Sequence, residues 1–122
     1  MNSTPRPNQP ERAIQAAVLR YCAYDARIAW VRRMNTGATA FESHNAKGKK
    51  QRRFVRFAFA GCADIIGQLA SGHFLAIEVK RPGRGPTDEQ ASFLADVNTA
   101  GGLGFIAHSI DDVKAALHTF AP

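Results

Sequence analysis

The chain has 122 residues, 16 Lys+Arg against 10 Asp+Glu, and 45% hydrophobic residues, which fits one compact domain and excludes a fibre, a disordered tail or a multi-domain assembly. The formal net charge of +6 favours a polyanionic partner, nucleic acid or an acidic membrane surface, and says nothing about fold. No stretch approaches the roughly 18 apolar residues of a membrane span, and no basic start with a long apolar run opens the chain, so the expectation is a soluble, cytoplasmic protein with no membrane partner.

Residues 1–8 are polar with two prolines and are expected to form a flexible arm, with the domain spanning 9–122. From Pro10, a suitable first helical position, Ile14, Ala17, Val18, Tyr21 and Cys22 recur at the spacing of an amphipathic helix. Glu11, three before Ile14, falls on the same inward face. Residues 28–34, rich in β-formers, predict a strand ending at Asn35. A polar segment without periodicity follows, a basic loop over about 36–56, in which Lys47, Lys49, Lys50, Arg52, Arg53 and Arg56 equal the whole net charge. Phe54 to Ala60 reads as an extended approach to a turn at Gly61.

Asp64–Leu69 and His73–Lys80 predict a β-hairpin around Ala70, Ser71 and Gly72. A Pro/Gly loop over 81–86 leads to a helix from Thr87 with Phe93, Leu94 and Val97 on its apolar face, stopped by Gly101 and Gly102. Leu103–Ala107 is a short strand, and Ser109 with Asp112 offers an S-x-x-D start for a last helix carrying Val113, Ala116, Leu117 and Phe120. The order is that of an α/β layered domain, with a parallel crossover between the last two strands. Cys22 and Cys62 form no CxxC pair and are expected as reduced, part-buried thiols. His44, His73, His108 and His118 lack metal-ligand spacing and are expected at the surface; Trp30 and the phenylalanines are expected mostly in the core.

Alternate strand residues share a face, so Glu78 and Lys80 point one way while Leu75, Ile77 and Val79 point the other. Hairpin pairing can bring Asp64 beside the end of the Glu78 strand, and Glu11 can reach the same place as a third carboxylate. Converging carboxylates are natural ligands for Mg²⁺. With a neighbouring ammonium, such a site meets the needs of phosphodiester hydrolysis: an activated water and charge neutralisation at phosphorus.

Asp64, thirteen residues, then Glu78-Val79-Lys80 resembles the D…(D/E)xK signature of the PD-(D/E)XK nuclease superfamily. More narrowly, Glu11, Asn35, Gly61-x-x-Asp64, Glu78-x-Lys80, Thr87-x-x-Gln90 and Gly101-Gly102 resemble the VRR-NUC (virus-type replication-repair nuclease) family in its stand-alone phage or bacterial form, over nearly the whole chain. Ala63 stands where the family often has proline. The resemblance implies a restriction-endonuclease-like domain, an αβββαβ core with a central mixed sheet flanked by helices. It implies a Mg²⁺-dependent DNA endonuclease, with Mn²⁺ as a substitute, acting on branched or Holliday-junction-like DNA as a homodimer. By the same analogy Asp64, Glu78 and the Val79 carbonyl hold the metal, Lys80 positions or activates water, Glu11 and Gln90 support the centre, and the basic segment binds DNA phosphates.

Each of these residues also has a plain structural use. Glu78 and Lys80 can form a surface ion pair, Asp64 can simply open a strand, and Asn35 can be a turn residue. Gln90 completes a capping box with Thr87, Glu11 favours the positive end of a helix dipole, and the basic run can be a solvated loop. The alternative function is a non-catalytic DNA-binding module that retains the fold. An HNH-like nuclease around His44 and Asn45 lacks a second histidine ligand.

Overall fold

The computed structural model describes residues 9–34, 38–44, 46–56 and 58–120, with only the backbone described over 38–44 and 51–56. The elements are α1 (Glu11–Cys22), β1 (Ile28–Arg33), β2 (Ala38–His44), β3 (Lys50–Arg56), β4 (Ile65–Leu69), β5 (Phe74–Val79), α2 (Asp88–Thr99), β6 (Leu103–Ala107) and α3 (Ile110–Thr119). This is an α/β fold whose main sheet has the order β1-β4-β5-β6. β1 and β5 run antiparallel to β4, and β6 runs parallel to β5 through the α2 crossover.

Strand parity sorts the core into two layers. Odd-numbered Ile65, Leu69, Leu75, Ile77, Val79 and Ala107 pack with Ile14 and Val18 of α1 and Val113 and Leu117 of α3. On the opposite face Ala76 and Ile106 pack with Leu94 and Val97 of α2. Alternation along each strand therefore places α1 and α3 on one side and α2 on the other.

Three local signals resolve differently from the sequence expectation. The segment expected as a basic loop over 36–56 contains a second, two-stranded sheet: β2 and β3 pair antiparallel from Ala38↔Arg56 to His44↔Lys50. Pro10 is the N-cap of α1 in an extended conformation, and Glu11 is the first helical residue. Asp112 accepts from the His108 N–H (2.8 Å), one residue earlier than a box with Ser109 requires, and Ser109 makes no side-chain cap bond. Asn35 and the arm at 1–8 lie outside the described residues.

Two devices fix the geometry around β5. Gly61, at φ +84°, turns the chain toward β4 where an added Cβ would lie 2.5 Å from the Glu89 carbonyl oxygen, so this turn and the start of α2 touch backbone to backbone. The Asn98 amide exchanges two hydrogen bonds with Gly104 (2.8 and 2.9 Å), covering part of the free edge of β6.

Candidate active site at the end of the β4–β5 hairpin

β4 pairs with β5 in the register Ile65↔Ile77, and one more step along that register sets Asp64 opposite Glu78. β4 itself begins at Ile65, so Asp64 stands just outside the ladder. Its backbone carbonyl accepts from the Met34 N–H (2.7 Å), tying it to the end of β1. Its Oδ2 accepts from the Val79 N–H (2.9 Å), in the place a further ladder bond would occupy. The N–H and C=O of one strand residue share an edge, so the Val79 carbonyl lies on the side that Asp64 serves.

Glu78 is 2% exposed. Its Oε1 accepts from Gln90 Nε2 (3.2 Å) and lies 3.9 Å from Lys80 Nζ. Its Oε2 is buried and meets no donor. Burial, then a hydrogen bond with Asp64 and the charge of Asp64, push the Glu78 carboxyl from 4.5 up to about 8; Lys80 opposes and Glu11 adds slightly to the rise. Desolvation and the second carboxylate together outweigh the ammonium, so without a cation the pair favours holding one proton between the two carboxyls. The Lys80 contact is correspondingly weaker than a full ion pair.

Gln90 fills both roles considered for it. Its Oε1 accepts from the Thr87 N–H (2.9 Å) while its own N–H bonds Thr87 Oγ1 (3.2 Å), a complete capping box. The cap fixes which end of the amide faces inward, and Nε2 is left for Glu78. Local helix chemistry thereby sets the orientation of a donor in the site.

Glu11 differs from the expectation that it shares the inward face of Ile14: it is exposed. Among the described residues no group of three or more His, Cys, Asp or Glu side chains is gathered to hold a metal; the charge of Glu11 nevertheless reaches Glu78 and adds to the rise of its carboxyl. Lys47, Lys49 and Lys50 are exposed at the tip of the β2–β3 hairpin, and Arg52, Arg53 and Arg56 are positions of β3.

Two neighbours were not singled out by sequence. Cys62 is fully buried, as is Cys22, where part-burial was expected. The Cys62 thiol is pushed up first by burial and then by the charges of Glu78 and Asp64, which places it within electrostatic reach of the carboxylates. His108, expected at the surface, is half-buried with Nδ1 3.1 Å from both the Lys80 and Arg81 carbonyls. It clasps the chain where it leaves β5. Its position directly after the last β6 residue, which pairs with Val79, is the signal that marks it.

The donor set suits a small hard cation: two carboxylates, a strand-end carbonyl and a buried carboxylate oxygen without a donor are all oxygen ligands. A divalent ion there would relieve the same repulsion that a proton shared by the two carboxyls relieves. Comparison with models of known protein families and with curated proteins finds no match to this chain. No helix among the described residues is long and apolar enough to cross a membrane.

Proposed function

We propose that the chain is a metal-dependent nuclease hydrolysing phosphodiester bonds in DNA. Its substrates are structured or branched molecules, Holliday-junction-like, that arise in replication, repair or recombination, and it acts as a homodimer with one site for each of two strands. The observation that carries this reading is the opposed pair Asp64 and Glu78, with a buried Glu78 oxygen lacking a donor and Lys80 alongside. The D…ExK resemblance agrees with it and supplies the substrate class.

Asp64, Glu78 and the Val79 carbonyl would hold Mg²⁺, with Mn²⁺ able to substitute. Such an ion, when bound, supplies an acidified water and neutralises charge on the phosphoryl oxygens. The Lys80 ammonium, on a side chain only 15% exposed beside Glu78, offers donors to the attacking water and to the oxygens on which charge builds. Gln90 holds the Glu78 carboxylate in one orientation, and the Asp64–Val79 bond holds the second carboxylate against the strand end. The basic hairpin supplies phosphate contacts, which give sequence-independent affinity.

Incubating the full chain with labelled linear, flap and four-way DNA, with and without Mg²⁺ or Mn²⁺, tests the reading. Metal-dependent cleavage that disappears in Glu78→Ala while DNA binding persists supports it. Cleavage by Glu78→Ala at the wild-type rate overturns the site, and binding without any cleavage leaves the non-catalytic module.

A further inference from the structure

Among the described residues, the sheet face that carries Glu78 is only half covered. α2 packs on β5 and β6 and buries Ala76, while beyond it the register sets out the exposed row Trp30–Gln68–Phe74, then a row of exposed Arg32, half-buried Ile66 and buried Ala76, and the next row is Asp64–Glu78. With a strand rise of about 3.4 Å per residue, these rows lie about 14 and 7 Å from the carboxylates. Trp30, expected in the core, is 38% exposed, and it is the single tryptophan of the chain.

The indole is held in place although it is exposed. Its Nε1–H donates to Gln68 Oε1 (3.0 Å), and Gln68 Nε2 donates in turn to the Gly72 carbonyl (3.0 Å). The Arg32 guanidinium sits 5.7 Å from the ring centroid and is anchored by one bond from Nη1 to the Val31 carbonyl (2.8 Å). Apart from Asp64 at its end, this face of β1 and β4 carries no carboxylate. A fixed aromatic plane beside a cation, with no opposing acid, complements a nucleic-acid strand: the ring offers a stacking surface and the guanidinium a fork for phosphate.

Resting on the nuclease reading, we propose that Trp30 and Arg32 form a subsite that stacks one unpaired base and binds the adjoining phosphate of a DNA strand within a few nucleotides of the bond cut at Asp64 and Glu78. A base inside a duplex is already stacked on both faces, so the subsite selects single-stranded stretches such as those at flaps and junctions. Arg32 swings from the indole to the phosphate as the base takes its place.

Because Trp30 is the only indole, its fluorescence reads the subsite directly. The full chain in chelator, where no cleavage occurs, is titrated with an oligothymidylate, a blunt duplex, and heparin as a polyanion without bases. Quenching and a spectral shift with oligothymidylate alone are expected. Trp30→Ala and Trp30→Phe have no indole, so their affinity is read from the anisotropy of a labelled oligothymidylate; it should fall roughly 5- to 100-fold in Trp30→Ala, the range for losing one base–aromatic stack, and far less in Trp30→Phe, with circular dichroism showing both variants folded. Equal quenching by heparin, an unchanged signal with oligothymidylate, or quenching that follows protein concentration without nucleic acid overturns the subsite, the last in favour of a second copy on this face. If quenching occurs but no DNA is cut in Mg²⁺ or Mn²⁺, the nuclease reading fails and the stacking site stands; if DNA is cut without quenching, the reverse holds.

Discussion

Replacing Glu78 by Gln removes one ionisation from the interior while keeping its shape and its hydrogen-bonding atoms. Wild-type Glu78 releases its proton at about 8 where an unburied carboxyl does so at 4.5, because burial comes first and Asp64 second. Between those values the folded chain holds a proton that the unfolded chain has given up, so the free energy of unfolding falls as pH rises across that window and levels off above it. At about 1.4 kcal/mol per pKa unit the ceiling of the fall is about 5 kcal/mol, large against a typical domain stability of about 5–15 kcal/mol. The other perturbed groups leave the window clear. Asp25, held well below the carboxylate range by Arg27, loses its contribution only as the solution turns acid; Cys22, pushed up to about 12 by burial, acts only above its ordinary 9.0. Denaturant titrations of the chelated protein at about pH 5, 6.5 and 8.5 should show wild type and Glu78→Gln converging at the acid end and separating in favour of the variant at the alkaline end. Mg²⁺ should then stabilise wild type more at alkaline than at acid pH, since the ion replaces a proton. The same pH slope in both proteins would refute the argument that the buried Glu78 carboxyl sets it.

Lys80→Ala should lower the single-turnover cleavage rate by ~10²-fold or more with little change in metal binding, the loss expected for a proton-handling or charge-stabilising group; an unchanged rate removes the lysine from the mechanism. Gln90→Glu keeps an oxygen for the Thr87 cap but sets a carboxylate against Glu78, so it should lose more stability than Gln90→Ala at alkaline pH; Gln90→Ala should lose about 1 kcal/mol of cap at any pH, and more at alkaline pH, where ionised Glu78 has lost its Gln90 donor. Gly61→Ala should cost clearly more than Gly72→Ala in denaturant midpoint: both positions have positive φ, but only at Gly61 does the new Cβ meet the Glu89 backbone. Neutralising Lys47, Lys49, Lys50, Arg52, Arg53 and Arg56 together should weaken binding to every duplex alike and flatten log K against log salt by about 0.9 per lost phosphate contact; the same slope before and after would move the phosphate surface elsewhere.

The main sheet was legible because its signals are local and mutually consistent. The hairpin turn at Ala70–Gly72, the odd-numbered apolar stripe of β5 and the glycine stop after α2 each specify geometry within a few residues. The pairing of Asp64 with the end of β5 followed from counting along that hairpin. β2 and β3 were missed because period-2 alternation marks a strand only when one face is buried, and Ala38–His44 and Lys50–Arg56 show no such apolar stripe. Glu11 was misplaced for a related reason: a residue on the first turn of a helix can share the azimuth of Ile14 and still extend beyond the core. Trp30 was misread by composition, since its exposure depends on α2 stopping short of β1, a tertiary fact with no local signature.

On the proposed reading, the burial of Glu78 is what distinguishes a ligand site from an incidental ion pair. A surface pair between Glu78 and Lys80 would leave both charges in water and cost little. Here the carboxylate is inside, one oxygen has no donor, a second carboxylate stands opposite, and the lysine is too far away to offset them. Apolar residues of similar volume at such positions are often neutral or stabilising, so a fold built for stability alone has no use for this arrangement. Around it every local choice agrees: the Thr87–Gln90 cap, the Asp64–Val79 bond and the His108 clasp each hold a backbone or side chain facing the same point. A costly pair of carboxylates supported by three positioning contacts is the pattern expected where stability is given up for a ligand, and on the proposed reading a divalent cation would turn the repulsion between Asp64 and Glu78 into binding energy.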